Sequence, residues 1–288
     1  MTDPWDPRAL PEPPRALGLP EPLPVPVVDN HAHLDLSREG EPLGELGAVI
    51  AAARSVGVTR LVQIGCDLDS ARLTCDMVHS HPELLGGVAL HPNEVPRLAA
   101  HGLLPEAYEE IERLARDPRI RVVGETGLDY FRTGPEGAPM QQESFRWHID
   151  LAKRLGLALQ IHDREAHDDV LRILDEEGAP DFTVLHCFSG GVTMARAAVE
   201  RGYLLSFAGT VTFKNAKALR DALAVTPLDQ LLVETDAPYL TPSPHRGASN
   251  ASYLLPWTVR RMADVLNVDV PTLCGRISAT AERLYGPW

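Results

Sequence analysis

Val25-Pro26-Val27-Val28-Asp29-Asn30-His31-Ala32-His33 runs from an apolar strand directly into a turn that contains no glycine. Val25 to Asn30 has the β-branched density of a buried strand. A dinucleotide-binding sheet would need a glycine-rich turn after it, so that a pyrophosphate could approach the backbone, and that signal is missing. No Gly-Lys-Ser/Thr phosphate loop occurs elsewhere in the chain.

Beyond this stretch, short runs rich in Val, Ile and Leu alternate with longer amphipathic ones, the pattern of parallel strands joined by crossover helices. The strand candidates are Val25 to Asn30, Arg60 to Cys66, Leu85 to His91, Arg121 to Glu125, Ala158 to His162, Thr183 to His186, Tyr203 to Ala208 and Leu231 to Thr235. Glu45 to Val56, Gln141 to Leu155, Glu165 to Glu177 and Val192 to Arg201 carry apolar residues at helical spacing. Eight such units in roughly 260 residues predict an α/β fold, a single-domain (β/α)8 TIM barrel over residues 25–288. An open doubly wound sheet is the alternative, because periodicity does not show closure. Nine of the 25 prolines fall in residues 1–26, so residues 1–24 are expected to form a Pro-rich extended segment.

With 40 Asp+Glu against 27 Lys+Arg, the 288-residue chain has a formal net charge of −13. That excludes a basic protein that coats nucleic acid, but not an enzyme acting on nucleic acid, whose site carries its own local charge. No apolar run reaches the ~18 residues of a membrane span, and the start lacks a signal-peptide pattern, so the expected place is cytoplasmic, with no membrane and no obligate protein partner. Cys66, Cys75, Cys187 and Cys274 show no Cys-x-x-Cys spacing, which suits reduced thiols and leaves any metal to His, Asp and Glu.

Active sites of such barrels lie where strands end. Strand one delivers His31 and His33, strand three His91, strand four Glu125, strand five His162, strand six His186 and strand eight Asp236. Five of the eleven histidines thus fall at strand ends. His79, His81, His101, His148 and His167 are read as surface or core residues. Imidazole and carboxylate are ligands for zinc and related ions, and residues two apart on a strand share a direction, so His31 and His33 can serve one ion. Six donors exceed one tetrahedral zinc, and two divalent ions bridged by Glu125 are expected. One ion takes His31, His33 and Asp236, the other His162 and His186. Zn²⁺, Mn²⁺, Co²⁺, Ni²⁺ and Mg²⁺ all remain open. Glu125 and Asp236 are the catalytic candidates, Asp236 also as acceptor of the proton of the attacking water, unless it merely caps a helix.

The chain resembles the TatD family of metal-dependent deoxyribonucleases, within the metallo-dependent hydrolases. The resemblance rests on Asp29-Asn30-His31-Ala32-His33-Leu34-Asp35, Val123-Gly124-Glu125-Thr126-Gly127-Leu128-Asp129-Tyr130, Ile161-His162-Asp163-Arg164-Glu165-Ala166, Leu185-His186-Cys187-Phe188-Ser189-Gly190, Val211-Thr212-Phe213-Lys214-Asn215-Ala216 and Glu234-Thr235-Asp236-Ala237-Pro238-Tyr239-Leu240. It implies the same six ligands and adds a substrate class: DNA, as a single strand or strand end, cut by water at phosphorus. After Pro244-His245-Arg246-Gly247 the chain reads Ala248-Ser249-Asn250-Ala251-Ser252, without the Lys and the Asn-Glu-Pro run common in the family. His91, Arg164, Lys214 and Arg246 are the expected substrate contacts. Tyr130, Phe131 and Phe213 are candidates for stacking, with core packing as their expected role. The competing function is hydrolysis of a carboxylic ester or amide, such as an aminoacyl ester, on the same barrel. A binding protein on a retired hydrolase scaffold is disfavoured by the intact ligand set.

Overall fold

The computed structural model describes residues 19–37 and 45–288; residues 1–18 of the expected Pro-rich segment lie outside the described residues. Eight strands, β1 (Val27–Ala32), β2 (Val58–Gly65), β3 (Leu84–Val88), β4 (Ile120–Asp129), β5 (Ala158–Arg164), β6 (Thr183–Leu185), β7 (Leu204–Phe207) and β8 (Leu231–Val233), lie in one parallel sheet in sequence order. Helices alternate with them, among them α1 (Leu46–Ser55), α2 (Leu68–Ser80), α3 (Glu94–Ala100), α4 (Leu104–Ala115) and α5 (Ala138–Leu155). The eight expected strands are all present. β3 stops at Val88, which leaves His91 on a loop.

The loop after β8 closes the sheet against β1. Asp236 N donates to His31 O (3.0 Å), His33 N to Ala237 O (2.8 Å), and the Asp29 carboxylate accepts Thr235 N and Oγ1 at 2.8 and 2.6 Å. A parallel bridge pairs Ala32 with Ala237. These contacts make a nearly closed barrel and remove the open sheet.

The core has two parts. One lies between the sheet and its helices, where Val27, Val123, Phe145, Ile149 and Ile173 pack. The other fills the barrel itself with Val28, Val62, Ile64, Leu85, Val122, Ala158, Val184, Leu204 and Leu232. The chain's last helix (Val270–Tyr285) adds Ala281, Leu284 and Tyr285 to that inner cluster. Leu23 is buried and its N–H bonds Val56 O at 3.0 Å, at the turn between α1 and β2. Among the described residues no helix is long and apolar enough to cross a membrane.

Side chains two residues apart on a strand share a face, so each strand carries its inward series from floor to mouth. β5 reads Ala158, Gln160, His162, and β8 continues from Leu232 to Glu234. This alternation alone would turn His31 and Glu125 outward, since Val28 and Val122 point in. Both strands are bulged there. From Asp29 to Ala32 β1 spends one residue more than its partner run Leu61 to Gln63, and β4 does the same from Val123 to Thr126 against Leu159 to Ile161. A bulge re-aims the following side chain.

Candidate metal centre

Glu125 sits in the β4 bulge between two glycines, and close approach to β5 explains both. A Cβ on Gly124 would stand 2.8 Å from Gln160 Cβ, and one on Gly127, whose φ is +134°, 2.1 Å from His162 O. The carboxylate is buried at the middle of the mouth. Its Oε1 faces His162 Nδ1 (2.6 Å) and His186 Nε2 (3.0 Å), and its Oε2 faces His31 Nε2 (3.5 Å) and His33 Nε2 (3.7 Å). Asp236 Oδ1 completes the near side, 3.5 Å from His33 Nε2 and 3.9 Å from His31 Nε2. The structure therefore gathers the other five expected residues around the Glu125 carboxylate.

The hydrogen bonds behind these rings decide which nitrogen faces inward. Gln160 Nε2 donates to Asn30 O and Tyr285 Oη, which leaves its Oε1 to accept from His31 Nδ1 at 2.7 Å. His33 Nδ1 donates to Ile64 O (3.0 Å) and His186 Nδ1 to Glu234 Oε1 (2.9 Å). In the neutral ring each then presents an Nε2 lone pair to the mouth. The lone pairs of His31 and His33 stand 3.3 Å apart. Two such lone pairs repel unless a positive charge lies between them.

Donors at ~2.0–2.2 Å from one ion, at tetrahedral angles, are separated by ~3.3–3.6 Å. Of the observed separations among His31, His33, Glu125 and Asp236, those of 3.3, 3.5 and 3.5 Å match that spacing, and those of 3.7 and 3.9 Å are slightly longer. A second orphan points the same way, because His162 Nε2 is buried without a hydrogen-bond partner, 3.4 Å from Asp129 Oδ2. The residues present fit divalent metal. Burial would raise the Glu125 carboxyl, but the surrounding histidines, His186 foremost, hold it well below the usual range. Burial opposes protonation of His162 too, yet Asp129 and Glu125 bring it up to about 9. This end of the barrel is built around positive charge.

His91 differs from the other mouth histidines. Its Nδ1 accepts the Asn93 N–H at 3.1 Å, so the neutral ring carries its proton on Nε2, 3.6 Å from Glu125 Oε1. Burial pushes its pKa down to about 4, which keeps it neutral. It offers the mouth a donor where its neighbours offer lone pairs. Asp236, for which helix capping was the alternative, is followed by an irregular loop instead. Asn250 fixes that loop through Nδ2 bonds to Thr235 O (2.8 Å) and Tyr239 O (2.6 Å), in the very stretch that departs from the family pattern.

Lys214 and Arg246 stand on loops at the same end of the barrel, where Arg164 is the last residue of β5. The Arg164 guanidinium lies over the Phe131 ring, and that of Arg246 over Phe213. Tyr130 packs against the core as expected, but Phe131 is 58% exposed, so core packing is the wrong role for it. His79 and His167 pair with Asp117 and Asp163 near the surface, and His148 is a fully buried core imidazole.

Three contributors were missed in the sequence. Glu234 is fully buried, orients His186, and also accepts from Cys187 N (2.7 Å) and Ser206 Oγ (2.5 Å). Gln160 orients His31. Cys66 corrects the expectation that only His, Asp and Glu could serve a metal: its thiol lies 3.5 Å from Glu125 Oε2, in a group with His33 and Glu125 that could hold an ion. Period two on β2 was the available signal, since Val62, Ile64 and Cys66 share a face. Burial pushes the thiol up to about 12, and all four cysteines are free.

A family model described as TatD related DNase matches residues 28–286. An uncharacterized metal-dependent hydrolase TatD of Mycobacterium tuberculosis is 44% identical over 266 residues, covering 90% of this chain and 98% of the relative. The uncharacterized metal-dependent hydrolase YcfH of Escherichia coli K12 is 35% identical over 260 residues, covering 90% and 95%. Among solved structures, the TatD homologue YJJV of Escherichia coli K12 superposes with a TM-score of 0.80 at 24% identity, over 90% of this chain and 97% of that one.

Proposed function

The chain belongs to the family of TatD-related DNases, metal-dependent hydrolases, and from that premise we propose that it cleaves phosphodiester bonds of DNA with water. The observation that carries this reading is the convergence of His31, His33, His162, His186 and Asp236 on Glu125, at a mouth that bears Arg164 on the end of β5 and Lys214 and Arg246 on loops. In the reading proposed here, His31, His33 and Asp236 would hold one divalent ion and His162 and His186 the other, with Glu125 as the carboxylate that both would share. Bound there, such ions make water a better nucleophile near neutral pH and offset the charge that builds on phosphoryl oxygens.

Asp236 takes the proton of the attacking water. It suits this because its side chain is 15% exposed, against 6% for Glu125, and so is reachable from the mouth. His91 donates its Nε2–H toward the phosphoryl group. Arg164, Lys214 and Arg246 bind the neighbouring phosphates, the two arginines with guanidinium planes suited to paired oxygen contacts and Lys214 as a point charge.

The test is degradation of an end-labelled single-stranded DNA by chelator-stripped protein, with and without Mg²⁺, Mn²⁺ or Zn²⁺, beside Asp236→Ala. Metal-dependent laddering absent from the variant is the expected result. If no metal restores cleavage while the protein still binds metal, and p-nitrophenyl esters are hydrolysed but bis-p-nitrophenyl phosphate is not, the DNA reading falls and a carboxylic ester or amide takes its place.

A further inference from the structure

Exposed aromatic rings are scarce on this protein, and their position is informative. Among the described residues the exposed ones are Phe131 (58%) and Tyr239 (49%), and both stand on loops at the mouth. Phe131 follows β4 by two residues, and Tyr239 lies in the loop after β8, its ring centroid 6.4 Å from that of His33. A solvated phenyl ring adds nothing to the core, so folding does not account for it.

Two rings at this rim are each covered by a guanidinium. Arg164 Cζ is 3.9 Å from the Phe131 centroid, and Arg246 Cζ is 3.5 Å from that of Phe213. At such distances a planar guanidinium stacks face to face on the ring. The pairs occupy separate arcs of the mouth, one on the loop and strand ends of β4 and β5, the other on the loops after β7 and β8. The cluster around Glu125 lies between them. Each arc is braced: Tyr130 N donates to Arg164 O (3.0 Å), and Ser243 N to Thr212 Oγ1 (2.8 Å).

We propose that Phe131 with Arg164, and Phe213 with Arg246, form two platforms that each stack one unpaired nucleobase, on either side of the phosphodiester presented to the metal centre. This rests on the DNA reading above. A guanidinium backed by a ring offers a base a flat cationic face and keeps its N–H edges for phosphate. Charge alone does not hold the strand, because a chain of net charge −13 repels a polyanion everywhere except at such local cations. Stacking supplies the missing share of the affinity, and the two guanidinium–ring pairs are its means.

The experiment compares a short fluorescent DNA single strand with an abasic strand of the same length and charge. Anisotropy is read on the full chain with chelator, and KM and kcat on the metal-loaded enzyme. The base-bearing strand is expected to bind about tenfold tighter. Phe131→Leu and Arg164→Lys each shrink that ratio and raise KM for the base-bearing strand more than they lower kcat. Arg164→Lys is the discriminating variant, since it keeps the charge and removes the plane. Equal wild-type affinity for the two strands, with both still cut, overturns the platforms and leaves the phosphodiesterase standing. A full base preference in both variants overturns the Phe131–Arg164 platform, and the same result in Arg246→Lys overturns the other. If neither strand is bound or cut, the DNA reading itself has failed, and the platforms fall with it.

Discussion

The floor and the mouth of this barrel are built by the same strands and obey opposite rules. At the floor, Val62, Leu85, Val122, Ala158, Val184, Leu204 and Leu232 interlock with Leu284 and Tyr285 from the last helix. Two residues farther along, the inward positions become Gln160, His186, Ser206 and Glu234, and every one of them is buried. Burying such groups costs free energy unless each finds a partner. Here Asn30, Gln160, Ser206 and Glu234 satisfy one another and the backs of the mouth histidines. Folding stability is thus concentrated at one end, and the capacity to hold charge at the other.

The sharpest way to break this division is Glu125→Gln. The amide keeps the volume and an oxygen acceptor for His162, but it loses the negative charge that the two proposed cations would need. Hydrolysis is expected to fall by about 10³-fold or more, some 4 kcal/mol of barrier, while the thermal midpoint of chelator-treated protein moves only a few degrees. Unchanged turnover would remove Glu125 from between the ions.

Leu232→Ala addresses the other end. Leu232 is fully buried among the floor residues, and its truncation leaves a cavity costing about 3 kcal/mol. Denaturant unfolding is expected to show that loss, with KM and metal affinity near wild type. A large loss of metal affinity with intact stability would mean that floor and mouth are coupled.

Much of this division was legible from residue order alone. Strands showed as Val, Ile and Leu runs, and the donors showed because they end those runs. The bulges in β1 and β4 did not show, because simple alternation from Val28 and Val122 directs His31 and Glu125 away from the barrel axis. Gln160 and Glu234 were hidden for a different reason: inside apolar runs they read as ordinary strand residues, and only closure brings them behind His31 and His186. Phe131 was misread because an aromatic next to a strand end usually packs inward, whereas here the strand has already left the core. His91 was read as the end of the third strand; the strand stops at Val88, and the donor character of His91 depends on the Asn93 N–H.

A buried histidine away from the mouth sharpens the contrast. His148 on α5 donates Nδ1–H to Ser144 O (2.8 Å) and accepts Leu90 N–H at Nε2 (3.1 Å), so it is satisfied only when neutral. Burial, the largest cause, brings its pKa down to about 4. The folded state therefore resists a proton that the unfolded chain accepts near its ordinary value of about 6.5. Stability from this group is complete above that value and is lost as pH falls toward 4, reaching about 3 kcal/mol. His148→Gln is expected to flatten this part of the stability profile in chelator-treated protein. A profile as steep as wild type would place the acid sensitivity elsewhere, among the mouth histidines.

The smallest effect tests how the mouth is supported. Glu234 never faces solvent, and its role is to hold His186 by Nδ1 so that Nε2 points at Glu125. In Glu234→Gln the oxygen still accepts that hydrogen bond, but the buried negative charge that makes His186 a stronger donor is gone. Outer partners of this kind contribute 10- to 100-fold in metal affinity, ~1.4–2.7 kcal/mol. Competition against a chromophoric chelator is expected to show a loss in that range, and saturating metal should restore most of the turnover. Loss of folding stability in the chelator-treated variant, without a change in metal affinity, would make Glu234 a core residue that happens to be charged. Restoration by metal would instead show that the polar layer is maintained for the ions above it.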